Sequence, residues 1–235
     1  MELSRPLIEG WTASLPKQVS VGGLYARSPT AHKWKAPFRS LLVREALIWR
    51  MHDLGQQILL LSDAGHYLGA RILLRSAVET LALLVFLSYK VEQVIDGKLS
   101  YFEYDEFTSR ALRGTRNDPT TPEAVSIMTA LEKTGKKYPD LAEFHEQLSE
   151  SAHPNCDGVL FGYSSSNPKL YETNFANHWS ERFGAIQDPM TAIVFSRFET
   201  EYNNVWPVTL EKFEKWLEEN DSLLELEKLR TSSQP

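Results

Sequence analysis

The stretch YLGARILLRSAVETLALLVFLSY, Tyr67 to Tyr89, decides the fold. Arg71, Arg75 and Glu79 recur every four residues, so a helix sets them in one row. Leu, Ile, Val, Ala and Phe fill the rest of the circumference. A helix apolar nearly all round is either a buried central helix or a membrane span. A span takes about 20 apolar residues with few or no charges. Here the unbroken apolar run is only Leu81 to Leu87, and two arginines and a glutamate precede it. The stretch therefore reads as the central helix of a soluble bundle, carrying one buried ionic stripe.

Upstream, Leu41, Leu42, Leu47, Ile48, Leu54, Ile58, Leu59 and Leu61 predict a first long helix from about Phe38 to Ala64. Gly65 ends it and His66 opens the central helix, so the two helices must be antiparallel neighbours. The central helix fades near Asp96-Gly97. Residues 1–37 read as an irregular arm, because Pro6, Pro16, Pro29 and Pro37 interrupt any period. Trp11, Tyr25 and Trp34 make that arm one that packs rather than floats. Arg27 and His32 form an Arg-x4-His spacing in this proline-flanked stretch, which reads as coincidence.

Downstream, a helix is expected over Tyr101–Arg113, and another from an N-cap at Thr121-Pro122 to Gly135. Arg110, Arg113, Arg116, Lys133, Lys136 and Lys137 make this region basic. A further helix starts at Tyr138-Pro139-Asp140, with Leu141, Phe144, Leu148 and Ala152 as a narrow apolar stripe. It stops before Pro154. Val159–Tyr163 and Lys169–Phe175, separated by SSSNP, predict a hairpin. Asp188-Pro189 predicts the cap of a helix over Met190–Val205, which Pro207 kinks or restarts. Leu210, Phe213, Trp216 and Leu217 continue an amphipathic face, and Leu223 to Leu229 form a last short helix.

The expected class is thus mostly α. An antiparallel helical bundle forms one domain over residues 38–230, with an irregular arm at 1–37, a small β-hairpin and a disordered tail at 231–235. The chain has 235 residues, enough for a core without staples. It is 42% hydrophobic and 24% charged, which is globular rather than disordered composition. Cys156 is the one cysteine, so an internal disulfide is excluded and a reducing cytoplasm fits. No signal peptide is read at the start. A net charge of −6 speaks against a dedicated nucleic-acid binder and gives no reason to expect DNA. Residues 1–50 nevertheless hold eight Lys/Arg against three Asp/Glu, a basic face on an acidic chain.

The motifs of dinucleotide, Walker-type, zinc-protease and α/β-hydrolase sites are missing from the sequence. No metal site or cofactor is expected. Glu150-x-x-His153 is half of a di-iron pattern, but its second half is missing, and Asp63-x-x-His66 straddles Gly65. His145 and His52 read as lone structural histidines. The polar cluster that stands out is LSESAHPNCDG, Leu148 to Gly158. Ser149 and His153 share a helix face, and a bundle could bring them to Arg71, Arg75 and Glu79. Such a cluster is either a site or a hydrogen-bonded network that fixes two helices together.

RSAVE at Arg75–Glu79 and LSESAHPNCDGV at Leu148–Val159 resemble a family of bacterial helical proteins of unknown function. That family is in turn similar to the HEPN superfamily of small helical bundles. The resemblance covers roughly residues 40–165 and rests on these two motifs. It implies a stress or defence protein that binds or cleaves RNA, usually as a homodimer. In HEPN ribonucleases an Arg-x4-6-His motif acts on the ribose 2′-OH and the phosphate without metal. Carried over, His153 would be the acid/base, Arg75 or Arg71 would steady the phosphate, and Glu79 would orient the arginine. Arg71, Ser149 and Asn155 would bind. Glu146, Gln147 and Leu148 stand where the motif places its arginine, so that role would have to come through the fold. The alternative is a non-catalytic interaction or structural module built on the same Arg/Glu/His network. A homodimer is expected through apolar faces such as Trp216 and Leu217.

Overall fold

A computed structural model describes residues 1–115, 118 and 120–232. It is mostly helical, 77%, with ten α-helices among the described residues and one two-stranded antiparallel sheet. The stretch read as one bundle domain divides between two compact units. One collects Met1–Leu15, Leu47–Leu83 and Ile127–Glu199; the other collects Pro16–Ala46, Leu84–Ser126 and Thr200–Pro235.

The two long helices, α4 (Lys35–Asp63) and α5 (Tyr67–Ile95), contribute residues to both. Gly65 and Gly97 terminate them with φ of +75° and +69°. His66 N donates to Leu61 O and Gly65 N to Ser62 O; Lys98 N and Gly97 N repeat the pattern on Gln93 O and Val94 O. This pairing needs a left-handed residue, which glycine adopts at no steric cost. The helices run antiparallel, since Arg50 reaches Thr80 while Leu61 packs against Gly69. By length and composition α5 alone among the described residues could cross a membrane, and 61% of its most apolar stretch is buried in the protein.

The first unit holds α1 (Arg5–Gly10), α7 (Ile127–Lys137), α8 (Pro139–Ala152), the hairpin β1 (Ser164–Asn167)–β2 (Glu172–Phe175) and α9 (Trp179–Thr200). Its core includes Ile8, Trp11, Met51, Leu74, Trp179 and Phe195. Trp11 packs on Phe195 and Phe198 with ring centroids 5.6 and 5.7 Å apart. The second unit holds α2 (Val21–Arg27), α3 (Pro29–His32), α6 (Tyr101–Arg113) and α10 (Trp206–Ser232). Tyr104 stands edge-on to Phe213 at 5.3 Å, and its buried hydroxyl shares a 2.6 Å hydrogen bond with Ser40.

Several expectations are corrected. The arm at 1–37 contains helices α1, α2 and α3, because Pro6 and Pro29 fall in first turns, where no N–H is needed. Ser20 and Ser28 cap the second and third by accepting from Gly23 N and Ala31 N. Thr121-Pro122 does not start a helix. Thr121 Oγ1 donates to Asp118 O, and Pro122 O accepts from Thr115 N. Arg110 grips the carbonyls of Glu123 and Ala124, so the segment stays extended up to Ile127.

The second strand falls within the expected Lys169–Phe175, but the first follows the expected Val159–Tyr163 run instead of coinciding with it. Cys156–Phe161 forms a π-helical turn, and the serines supply β1. Asp188-Pro189 does not open a helix either; α9 runs through it. Trp179, Phe183, Gln187, Met190, Val194 and Phe198 form one buried face, and that burial outweighs the one hydrogen bond Pro189 removes. Asp188 instead accepts from Leu3 N, Ser4 N and Ser4 Oγ, capping the entry to α1. The C-terminal leucines belong to one helix, α10, which reaches Ser232. Residues 233–235 of the expected tail lie outside the described residues.

Candidate functional site

The three members of the stripe on α5 are not equivalent. Arg71 is 1% exposed. Its Nε donates to Ser151 Oγ at 2.8 Å, and its guanidinium carbon lies 4.3 Å from the Phe183 ring centroid. Ser151 Oγ donates onward to Gln147 O at 3.3 Å. The guanidinium cannot lose its charge, so these contacts are what permit its burial. Ser151, not Ser149, is the partner, because it follows Leu148 by three residues and shares its buried face. Ser149 turns back onto its own helix and donates to His145 O at 2.6 Å.

Arg75 and Glu79 form an ion pair at 3.3 Å, and His145 Nε2 lies 3.3 Å from the same Glu79 oxygen. All three side chains are partly buried. The hydrogen bond with His145 holds the Glu79 carboxyl below its ordinary range. Burial opposes that, and the charges of Arg75, His145 and Arg50 support it. His145, set aside in the sequence as a lone structural histidine, is therefore the one that joins the stripe. It lies eight residues before His153, and its only sequence signal is a place on α8 one helical turn before Ser149.

His153 lies elsewhere. It is the exposed C-cap of α8, and its side chain has no hydrogen bond or ion pair among the described residues. Its carbonyl accepts from Asn155 N at 2.8 Å. Asn155 donates to Glu150 and accepts from Gly158 N, so it shapes the turn after α8. Six sequence-named positions thus sort into three places. Arg71 lies in the core, Arg75 and Glu79 on the α5–α8 seam, and Ser149, His153 and Asn155 on or after α8. Among the described residues no group of three His, Cys, Asp or Glu side chains is placed to hold a metal ion. Cys156 is exposed and unpaired.

The second unit carries a parallel arrangement. Arg27 and His32 converge on Glu214 of α10: Arg27 Nη2 lies 2.6 Å from Oε2, and His32 Nε2 lies 2.8 Å from Oε1. The His32 and Glu214 side chains are only 2% and 7% exposed, whereas that of Arg27 is 55% exposed. The Arg-x4-His spacing read as coincidence is thus a real cluster: Arg27 ends α2, His32 ends α3, and both side chains reach the same carboxylate. A cleft of about 560 Å³ adjoins it, lined by Arg27, Ser28, Lys212, Glu214, Lys215 and Glu218 among others. Its charges are mixed. Of the basic residues on α6 and α7, Arg110 and Arg113 belong to the second unit and Lys133, Lys136 and Lys137 to the first. Arg116 lies outside the described residues.

The class these observations define is a mostly helical protein with two Arg–Glu–His clusters among the described residues. Comparison with family models, with curated proteins and with solved structures finds no match to this chain.

Proposed function

We propose that this chain is a non-catalytic, HEPN-like helical interaction module, in which the Arg/Glu/His network locks α8 onto α5. The burial of Arg71 supports this reading best. A guanidinium 1% exposed and bound to Ser151 is not free to meet a phosphate. Arg75 and His145 are drawn to one carboxylate oxygen, which neutralises the arginine. A stress or defence role in the cytoplasm, with RNA or a second copy as partner, belongs to the same proposal through the HEPN resemblance. Leu217 is fully buried, so it offers no dimer face; the exposed leucines of α10 are Leu223, Leu226 and Leu229.

A second reading keeps metal-independent RNA cleavage. Its supporting observation is the Arg27–Glu214–His32 cluster, which has the Arg-x4-His spacing that His153 lacks. One assay separates the readings: incubation of the purified chain with single-stranded RNA in EDTA, beside His32→Ala, His145→Ala and His153→Ala. The module reading expects intact RNA throughout. Cleavage lost in one folded histidine variant would replace it and name the acid/base. Light scattering of the parent and of Leu226→Lys tests the second copy, with a dimer expected only in the parent.

A further inference from the structure

Apart from both clusters, a cleft of about 190 Å³ opens in the second unit, lined by Lys33, Trp34, Lys35, Tyr101, Phe102, Asp105 and Lys228. Its floor is aromatic. Trp34 and Tyr101 meet edge to face at 5.1 Å, and Tyr101 and Phe102 at 5.4 Å. Trp34 is fixed by its indole N–H, which donates to Asp221 at 2.9 Å. Trp34 and Tyr101 are 5% and 3% exposed, and the half-buried Phe102 offers the open ring surface to a further aromatic group.

The wall is cationic. Lys33 is engaged by Asp221 and Glu225 at 2.8 and 2.9 Å, and the one wall carboxylate, Asp105, by Arg39 at 3.0 Å. Lys228 Nζ lies 5.5 Å from the Trp34 ring centroid. Lys35 is exposed and has no ion pair among the described residues. It is also the first residue of α4, whose opening N–H groups have no partner within the helix and carry its positive dipole end. The Tyr101 hydroxyl, on a residue 3% exposed, is buried against the backbone of Ala36 in that first turn. Burial pushes its pKa up, so it stays a donor through the neutral range.

We propose that this cleft binds a small aromatic carboxylate. The ring lies on Phe102 beside Trp34 and Tyr101, and the carboxylate meets the Lys35 ammonium at the start of α4. Lys33, Lys35 and Lys228 line the cleft with one carboxylate, Asp105, so an anion is favoured over a cation. The floor selects an aromatic anion over an aliphatic one. The inference stands apart from the function proposed above, since it uses none of the same residues.

The test is calorimetric titration of the full chain with benzoate, beside benzamide as a neutral isostere and acetate as a ring-free anion. Benzoate should bind saturably. Loss of a charge-assisted hydrogen bond should make benzamide about ten- to a hundredfold weaker. Acetate should bind more weakly still. Lys35→Glu, a change at an exposed side chain, should weaken benzoate by about tenfold or more. No saturable benzoate binding at millimolar concentration would overturn the proposal. So would equal binding of benzamide or acetate, or an unchanged affinity in Lys35→Glu.

Discussion

Ser151→Ala should loosen α8 far more than the loss of one surface hydroxyl would. Ser151 is 1% exposed, and its oxygen accepts from the Arg71 Nε at 2.8 Å. The alanine cannot accept, while the arginine keeps its charge and its buried place beside Phe183. A hydrogen bond to a charged group contributes about 1.5–3 kcal/mol, and losing it inside the protein forfeits that amount. The bond from Ser151 to Gln147 O is a local helix contact and adds little. At about 1.4 kcal/mol per factor of ten, α8 should open about ten- to a hundredfold more often. A chain of two compact units need not unfold in one step, so a single melting temperature is a poor reporter. Native-state hydrogen exchange at the amides of Leu148 and Ala152 is the suitable assay. In an Arg71→Met background the same change should cost under about 0.5 kcal/mol, because the charge it served is gone. Exchange in Ser151→Ala within twofold of the parent, or an equal cost in both backgrounds, would refute this account of the seam.

Three further outcomes follow from other contacts. Glu79 is held below the ordinary glutamate value of 4.5 in the fold, so its stabilisation is present above that pH and disappears as pH falls through the depressed folded value. Glu79→Gln should therefore flatten the acid limb of α8 stability, measured by exchange or denaturant titration from neutral pH downward. Asp188→Ala removes the acceptor of Leu3 N, Ser4 N and Ser4 Oγ, so limited proteolysis within residues 1–15 should accelerate while α10 stays protected. Gly55→Ala places a methyl 2.7 Å from Phe195 and 2.9 Å from Ile8, and urea denaturation should show a loss of about 1–3 kcal/mol.

The long apolar helices were legible because their signal is local. Leu61, Gly65 and His66 are adjacent in sequence, and periodicity together with a glycine stop predicted both ends of the turn between α4 and α5. The same logic placed α6 at Tyr101–Arg113, although its capping box between Ser100 and Glu103 went unused. Prolines misled, since each can end a helix or open one, and only the neighbouring serine cap distinguishes Pro29 from a breaker. Asp188-Pro189 shows the limit of local reasoning: the cap is real, but it serves a helix 184 residues away. The candidate site was half visible. The row of Arg71, Arg75 and Glu79 was readable from spacing, whereas the choice of Ser151 over Ser149, and of His145 over His153, depends on the rotation of α8 about its axis. A narrow stripe of four apolar residues does not fix that rotation.

The hold of Asp188 on Ser4 also sets an order of events during synthesis. A ribosome adding about 5–20 residues per second needs roughly 10–40 s to travel from one partner to the other. For that interval the opening residues, with Ile8 and Trp11 among them, are outside the channel without the helix that buries them. The first unit cannot close until Glu199 has emerged, and the second must wait for the strand of chain beyond it. Trp11 on a nascent chain therefore waits for Phe195 and Phe198 while all the chain between them is made.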